Sequence, residues 1–314
     1  MRAAQITQHG DAGVVRIAMG VPRPAPGEGQ VLVEVRAASL NPVDSGIRLG
    51  YMHKMAPLQF PATLGIDMSG VVVEVGPGVA GFQKGDRVWG LGSILAGGTG
   101  AFAEFAAVPA AVIGKAPNAL SFIEAASLPL AGVSALQGIY ELLKPGPGQK
   151  ILITGGSGGI GSLAIPMAKA LGAHVAATCR GDSAVFVTKL GADVVIDSQQ
   201  ESFGTRLKDY DLVFDTVGGE TYKAAFAVLR KGGSILSMAA QPDANLAQTH
   251  GVTAHGIMTA VNTVRLNRLS ELVLSGAIKP HVQRTFPLAE IQEAFRAREA
   301  GKVLGKIVLQ IGKE

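Results

Sequence analysis

The residues that could do chemistry begin with a glycine turn. Gly156, Gly158 and Gly161 stand in G-x-G-x-x-G spacing, with Ser157, Gly159 and Ile160 between them. The apolar run Ile151-Leu152-Ile153 precedes the turn, and a helix-period segment that stops at Leu171-Gly172 follows it. Strand, glycine turn and helix in that order form a phosphate cradle. The first glycine permits the tight turn, the second lets the backbone approach a pyrophosphate, and the third lets helix and strand pack closely. Backbone N–H groups and the positive end of the helix dipole then converge on the diphosphate of a dinucleotide. A merely flexible glycine loop would lack these flanks. Pro166 falls inside the helix, removes one backbone hydrogen bond, and is expected to kink its first turns.

The second chemical feature is Arg180, which follows the strand at 174–178. A site for NAD places an acid there, to accept from the ribose 2′-hydroxyl. Here Thr178 and Arg180 occupy the strand end, and Asp182 comes two residues later. A guanidinium offers paired donors to a 2′-phosphate; the alternative is a solvated loop arginine. Metal chemistry finds little support. Cys179 is the single cysteine, which excludes an internal disulfide and a multi-cysteine zinc site. The six histidines are scattered, and no carboxylate or cysteine completes a set around His250 and His255.

The elements needed to position these residues fall into three stretches. From about 14 to 107 the pattern is mostly β: 30–37, 69–76 and 86–89 alternate apolar and polar residues between Gly/Pro turns, which suggests a small, partly closed barrel. Residues 122–141 carry a helical period. After the glycine turn, strands at 174–178, 193–196, 211–215 and 233–238 alternate with helical segments, which implies a doubly wound parallel sheet. Helices over 265–274 and 288–300 and a closing strand over 305–311 are expected to rejoin the barrel. The fold class is therefore α/β, a barrel domain at 1–120 and 261–314 with a Rossmann-type domain at 121–260 inserted into it. The net charge of +4 with no Lys/Arg run argues against a nucleic-acid track. No uncharged stretch is long enough to span a bilayer, the N-terminus reads directly as a strand with no signal segment, and one cysteine fits a reducing cytoplasm.

Asn41-Pro42-Val43-Asp44, Gly65-Ile66-Asp67-Met68-Ser69-Gly70, Gly85-Asp86-Arg87-Val88, Gly100-Ala101-Phe102-Ala103-Glu104, Ala125-Ala126-Ser127-Leu128-Pro129 and the glycine turn occur together and in order. Nearly end to end, the chain resembles the zinc-free quinone oxidoreductase (zeta-crystallin-like) branch of the medium-chain dehydrogenase/reductases. The resemblance implies a GroES-like barrel and a Rossmann domain with NADPH bound between them. The positions resembling the zinc-ligating Cys and His of the alcohol dehydrogenase relatives fall in 41–44 and at Ile66, and the four-cysteine lobe is missing. Without that Lewis acid, hydride delivery to an already electrophilic conjugated carbon remains feasible.

The resemblance also assigns residues. Asn41 matches an asparagine that faces the nicotinamide and the substrate carbonyl, where its amide could donate to developing charge on oxygen; otherwise it is an Asn-Pro turn residue. Tyr51 sits near a proton-donating tyrosine of enoyl reductases, offset by one residue, and could instead line an apolar pocket. Ser134 stands where relatives have a threonine near the nicotinamide. Ser198 matches an adenosine-side contact. Gly305 and Lys306 resemble a contact near the reacting ring, and Met238 ends the fifth Rossmann strand beside the cofactor crevice. Asp44 and Asp67 are expected to hydrogen-bond barrel backbone. The expected activity is NADPH-dependent reduction of quinones or α,β-unsaturated carbonyls, small-molecule acceptors, by a cytoplasmic homodimer paired through the region of 256–261. Two alternatives stay open: an enoyl-thioester reductase, and a non-catalytic NADPH-binding protein of crystallin type.

Overall fold

The computed structural model describes residues 1–54 and 57–313. The chain divides into two units, one made of Met1–Leu130, Val261–Leu274 and Pro280–Glu314, the other of Ala131–Ala260 and Ser275–Lys279. The first boundary lies beyond the expected 120 for a physical reason. The helix Phe122–Ala126, opened by a Ser121–Glu124 capping box, packs on the barrel, with Phe122 and Ala126 buried against Ala37 and Val308. Segment 122–141 is accordingly not one helix. It breaks into Phe122–Ala126, Pro129–Leu136 and a π-helical turn Gln137–Leu143, the first break falling before Pro129, whose ring disfavours helix in the residue ahead of it.

The barrel unit begins with β1 (Ala3–Ile6), β2 (Arg16–Ala18), β3 (Gln30–Ser39), β4 (Ala62–Thr63), β5 (Asp67–Val75), β6 (Arg87–Leu91), β7 (Phe105–Pro109) and β8 (Ile113–Lys115). Its centre is β3, buried on both faces at Val31, Leu32, Val33 and Val35. Antiparallel β5 runs along it from Val31 to Ser39, and β7 pairs with its first half, Gln30 to Glu34.

The second unit holds β9 (Lys150–Ile153), β10 (His174–Cys179), β11 (Val194–Asp197), β12 (Tyr210–Asp215), β13 (Leu229–Ser237) and β14 (Thr253–Gly256). All pair in parallel, in the order β11-β10-β9-β12-β13-β14. The order reverses between β9 and β12, so the ligand crevice of such a sheet lies outside the carboxyl ends of these two strands. The edge strand β14 was not expected. Of residues 256–261, where an edge strand was anticipated, Gly256 ends β14 and 257–261 carry no regular structure. The helix after the glycine turn, Gly161–Ala170, continues through Pro166.

The chain then returns to the barrel with β15 (Val282–Pro287) and β16 (Lys306–Gln310). β16 pairs antiparallel with the second half of β3, Val308 opposite Ser39 and Gln310 opposite Ala37. That register sets the end of β3 beside the start of β16.

Candidate functional site

In the Rossmann unit, each glycine of the turn has a distinct reason to be there. The positive φ sits at Gly155 (67°), one residue before the motif, so it is Gly155 and not Gly156 that makes the tight turn. A Cβ on Gly156 would stand 3.0 Å from both Ala177 Cβ and Ile165 Cδ1. On Gly161 it would stand 2.3 Å from the Gly155 carbonyl oxygen, which is the close helix–strand approach in direct form. On Gly158 it would meet only the Gly155 oxygen, at 3.4 Å, leaving that face open. Two anchors hold the turn to β10: Thr178 Oγ1 accepts from the Gly155 N–H at 3.1 Å, and the Thr178 carbonyl from the Gly156 N–H at 2.7 Å. The N–H groups of Ser157, Gly159 and Ile160 have no protein acceptor among the described residues. The residues present thus fit a dinucleotide diphosphate.

At the adenosine end, Arg180 is exposed and has no ion-pair partner among the described residues. An acid does stand close by, supplied by the neighbouring strand: Asp197 Oδ1 accepts from Gly181 N at 2.9 Å and Gln199 N at 3.0 Å, bonds that hold its carboxyl below the usual range. Ser198 donates its hydroxyl to the Cys179 carbonyl at 2.9 Å, tying β11 to β10. Ser134 is buried and shares a 2.7 Å hydrogen bond with Thr259. Met238 donates its backbone N–H to the Asp215 carbonyl at 2.9 Å.

The barrel unit holds a second constellation. Asn41 caps the helix Pro42–Arg48, but its side chain does not serve the cap; the Asp44 carboxylate reaches back to the Asn41 N–H at 2.7 Å instead. The Asn41 amide lies between opposite charges. Its Oδ1 accepts from Lys306 Nζ at 2.5 Å and its Nδ2 donates to Asp67 Oδ2 at 2.9 Å. Lys306 Nζ lies 3.6 Å from the same carboxylate oxygen. Asp67 also accepts from Ser39 Oγ at 3.0 Å and from Leu130 N at 2.9 Å. All four side chains are buried, Asp67 completely and Lys306 to 7% exposure. Burial pushes the Lys306 ammonium down and the Asp67 carboxyl up; their attraction and the donors on Asp67 oppose this. Burial raises Asp44 to about 7, although the Asn41 N–H and the charges of Lys306 and Arg298 pull the other way.

The triad is selective about what remains free. One Nδ2 hydrogen of Asn41 is taken by Asp67, and the other points at the Ser39 carbonyl only at 3.5 Å. Lys306 keeps one N–H beyond its two partners. The residue before it must be glycine: Gly305 has φ 69°, and a Cβ there would fall 2.2 Å from the His281 carbonyl oxygen. Tyr51 stands on the turn after the helix, 80% exposed; its N–H donates to the Gly46 carbonyl at 3.0 Å and its hydroxyl has no partner among the described residues. Sequence reasoning treated Asp67 as a backbone ligand and did not single out Ser39. Nothing local marks either residue, because Ser39 and Asp67 meet across the β3–β5 pairing and Asp67 meets Lys306 only through β16.

Among the described residues no three His, Cys, Asp or Glu side chains converge in a way that could hold a metal ion. Asp67 has its lone pairs occupied by Lys306, Asn41, Ser39 and the Leu130 N–H, so the residues present do not fit zinc. No helix among them is long and apolar enough to cross a membrane.

A GroES-like barrel joined to a six-stranded Rossmann sheet with a pyrophosphate turn defines a two-unit dinucleotide oxidoreductase. Comparison with known proteins agrees. The alcohol dehydrogenase GroES-like domain family matches residues 27–118 and the zinc-binding dehydrogenase family residues 190–309. A 2-methylene-furan-3-one reductase of Solanum lycopersicum is 36% identical over 98% of this chain and 79% of its own length. The structure of a quinone oxidoreductase from Coxiella burnetii superposes with a TM-score of 0.90 at 31% identity, covering 99% of each chain. That of an Escherichia coli quinone oxidoreductase complexed with NADPH gives 0.90 at 26% identity, covering 99% of this chain and 100% of the other. The chain belongs to the medium-chain dehydrogenase/reductases, in their zinc-free quinone oxidoreductase branch, and is an NAD(P)H-dependent oxidoreductase.

Proposed function

We propose that this enzyme uses NADPH to reduce quinones or α,β-unsaturated carbonyls, without zinc. The observation that carries the reading is the buried Asn41–Lys306–Asp67 triad, in which the Asp67 carboxylate fixes the N–H donors of Asn41 and Lys306. The glycine turn and its flanks would hold NADPH, which would supply the hydride for the electrophilic carbon. The chain's own task is to hold the acceptor and to meet the negative charge that develops on its oxygen. With the Asn41 amide fixed between Lys306 and Asp67, the remaining Lys306 N–H is the donor with capacity for that oxygen, and Asn41 orients it. Burial lowers the Lys306 pKa, which also makes it a better proton donor to the enolate or quinol oxygen; water or the cofactor ribose hydroxyl could deliver the proton in its place. In the Rossmann unit, the glycine turn holds the diphosphate, Thr178 braces the turn, and Arg180 reads the 2′-phosphate. Ser134, Ser198 and Met238 belong to the same cofactor surface. Tyr51, as exposed as it is, has only a secondary place here as a rim residue.

The test is NADPH oxidation against a panel of quinones, enals, enones and enoyl thioesters. Turnover of the first three groups is expected. Turnover confined to enoyl thioesters would favour a thioester reductase, and NADPH binding without any turnover a crystallin-type protein. Lys306→Met should lower kcat about a hundredfold while leaving NADPH affinity within a few-fold. The single cysteine, buried and free, supports a reducing, cytoplasmic setting. The open edge of β14 supports a homodimer paired there.

A further inference from the structure

One buried carboxylate in the Rossmann unit has no part in the reading above. Asp215 ends β12, fully inaccessible, at the point where the strand order reverses. Its Oδ1 accepts from Thr154 Oγ1, at the end of β9, at 2.6 Å, and its Oδ2 from Ser237 Oγ, at the end of β13, at 2.6 Å. The N–H groups of Val217 and Gly218 also donate to it, at 3.1–3.2 Å. A single carboxylate therefore joins the carboxyl ends of three adjacent strands.

A carboxylate only accepts, so both hydroxyls must turn their hydrogens toward it and their lone pairs away. Those lone pairs are in use. Thr154 Oγ1 accepts from the Thr216 N–H at 3.1 Å; Ser237 Oγ accepts from the N–H groups of Ala239 at 3.1 Å and Ala240 at 2.9 Å. The two loops so held, 216–219 and 238–240, touch one another: a Cβ on Gly218 (φ 78°) would stand 2.9 Å from Ala239 Cβ. The first of them also touches the glycine turn, since a Cβ on Gly155 would fall 2.7 Å from Thr216 Oγ1 and 3.0 Å from Val217 Cγ2. Val217, 47% exposed, is thus an apolar side chain held out from a rigid base beside the phosphate turn.

We infer that Asp215 is a positioning residue for the dinucleotide: through Thr154 and Ser237 it fixes both crevice loops where the part common to NADPH and NADH is held. The inference rests on the proposed cofactor reading, and the two can fail separately. Asp215→Asn is isosteric but presents an NH2 group where a donor already points, so one hydroxyl must reverse or one loop N–H is left without an acceptor.

Dissociation constants for NADPH and NADH, measured by calorimetry on the full chain well below its melting temperature, test it. Asp215→Asn should weaken both cofactors by the same factor, roughly tenfold, so that their ratio is unchanged. Arg180→Ala should instead weaken NADPH alone. Phe226→Leu, in the core of the same unit, is the stability control and should lower the melting temperature without changing either constant. If Asp215→Asn does not fold, Ser237→Ala, which frees only the 239–240 loop, should weaken both cofactors about threefold. Unchanged constants in the foldable variant, or equal losses in Phe226→Leu, would overturn the inference and leave the cofactor reading standing. A wild-type chain that binds neither cofactor would overturn both.

Discussion

Arg180 and Asp44 are the two residues whose behaviour is most directly open to measurement. Arg180 has no ion-pair partner among the described residues and follows the strand end where, on the proposed reading, the adenosine ribose lies. Charge-assisted hydrogen bonds to a 2′-phosphate are worth roughly 1.5–3 kcal/mol, so Arg180→Ala should cut kcat/KM for NADPH about ten- to a hundredfold and leave NADH nearly unchanged. Steady-state ratios for both cofactors check this; equal losses would mean that Arg180 supports its loop. Asp197 and Asp182 near the same loop moderate the preference, so the wild type should still use NADH slowly. Asp44 concerns stability. Its folded pKa, about 7, lies above the ordinary carboxylate value, so between pH 4 and 7 the folded chain holds a proton that the unfolded chain has released. Stability contributed at this site is therefore present at low pH and is lost as pH rises to about 7. Asp44→Asn, which cannot ionise, should gain on the wild type across that window, by roughly 1–4 kcal/mol. Melting temperatures of both chains at pH 5 and pH 8 would show it, and a gap that narrows with pH would contradict the assignment.

At the scale of elements, the glycine turn was the most legible part of the chain, because every constraint on it is local. Strand, turn and helix are contiguous, and each glycine answers to atoms within a few residues or on the adjacent strand. Gly161→Ala should therefore be costly. Its Cβ would meet a backbone oxygen at 2.3 Å, which cannot rotate away, and overpacking of this kind costs about 1–3 kcal/mol. A lower melting temperature is expected, with NADPH affinity down tenfold or more by titration. The Asn41–Lys306–Asp67 triad was legible only in part. Asn41 and Lys306 are 265 residues apart and meet because β16 pairs with β3 in one register, which no local pattern encodes. The edge strand β14 was missed for a related reason: Thr253–Gly256 is short, partly exposed and has no apolar alternation, and it is a strand because β13 lies beside it. The break at Pro129 was visible as a residue but hidden by the helical period on either side of it.

For the molecule as a whole, two measurements bear on assembly and metal content. Among the described residues, the β14 edge leaves one row of backbone groups without a strand partner, a surface that natural sheets cover or pair. Met258, 77% exposed, follows it. Light scattering at micromolar concentration should give twice the chain mass; a monomer would count against pairing there. Elemental analysis should find no stoichiometric zinc, because the donors that could reach one are engaged with each other. About one tightly bound zinc per chain would sink that reading, and chelators should leave the rate untouched.

The pairing of β16 with β3 also dictates an order of events during synthesis. The contiguous Rossmann stretch leaves the ribosome before the strand that brings Lys306, so it can fold while the barrel is still unfinished. At about 5–20 residues per second, half of one edge of β3 waits roughly 10–60 s for its partner, with Asp67 and the Asn41 amide lacking their counter-charge. A nascent chain stalled before residue 306 would hold the glycine-turn unit with Asn41 and Asp67 still lacking Lys306, and on the proposed reading it would bind cofactor without consuming it.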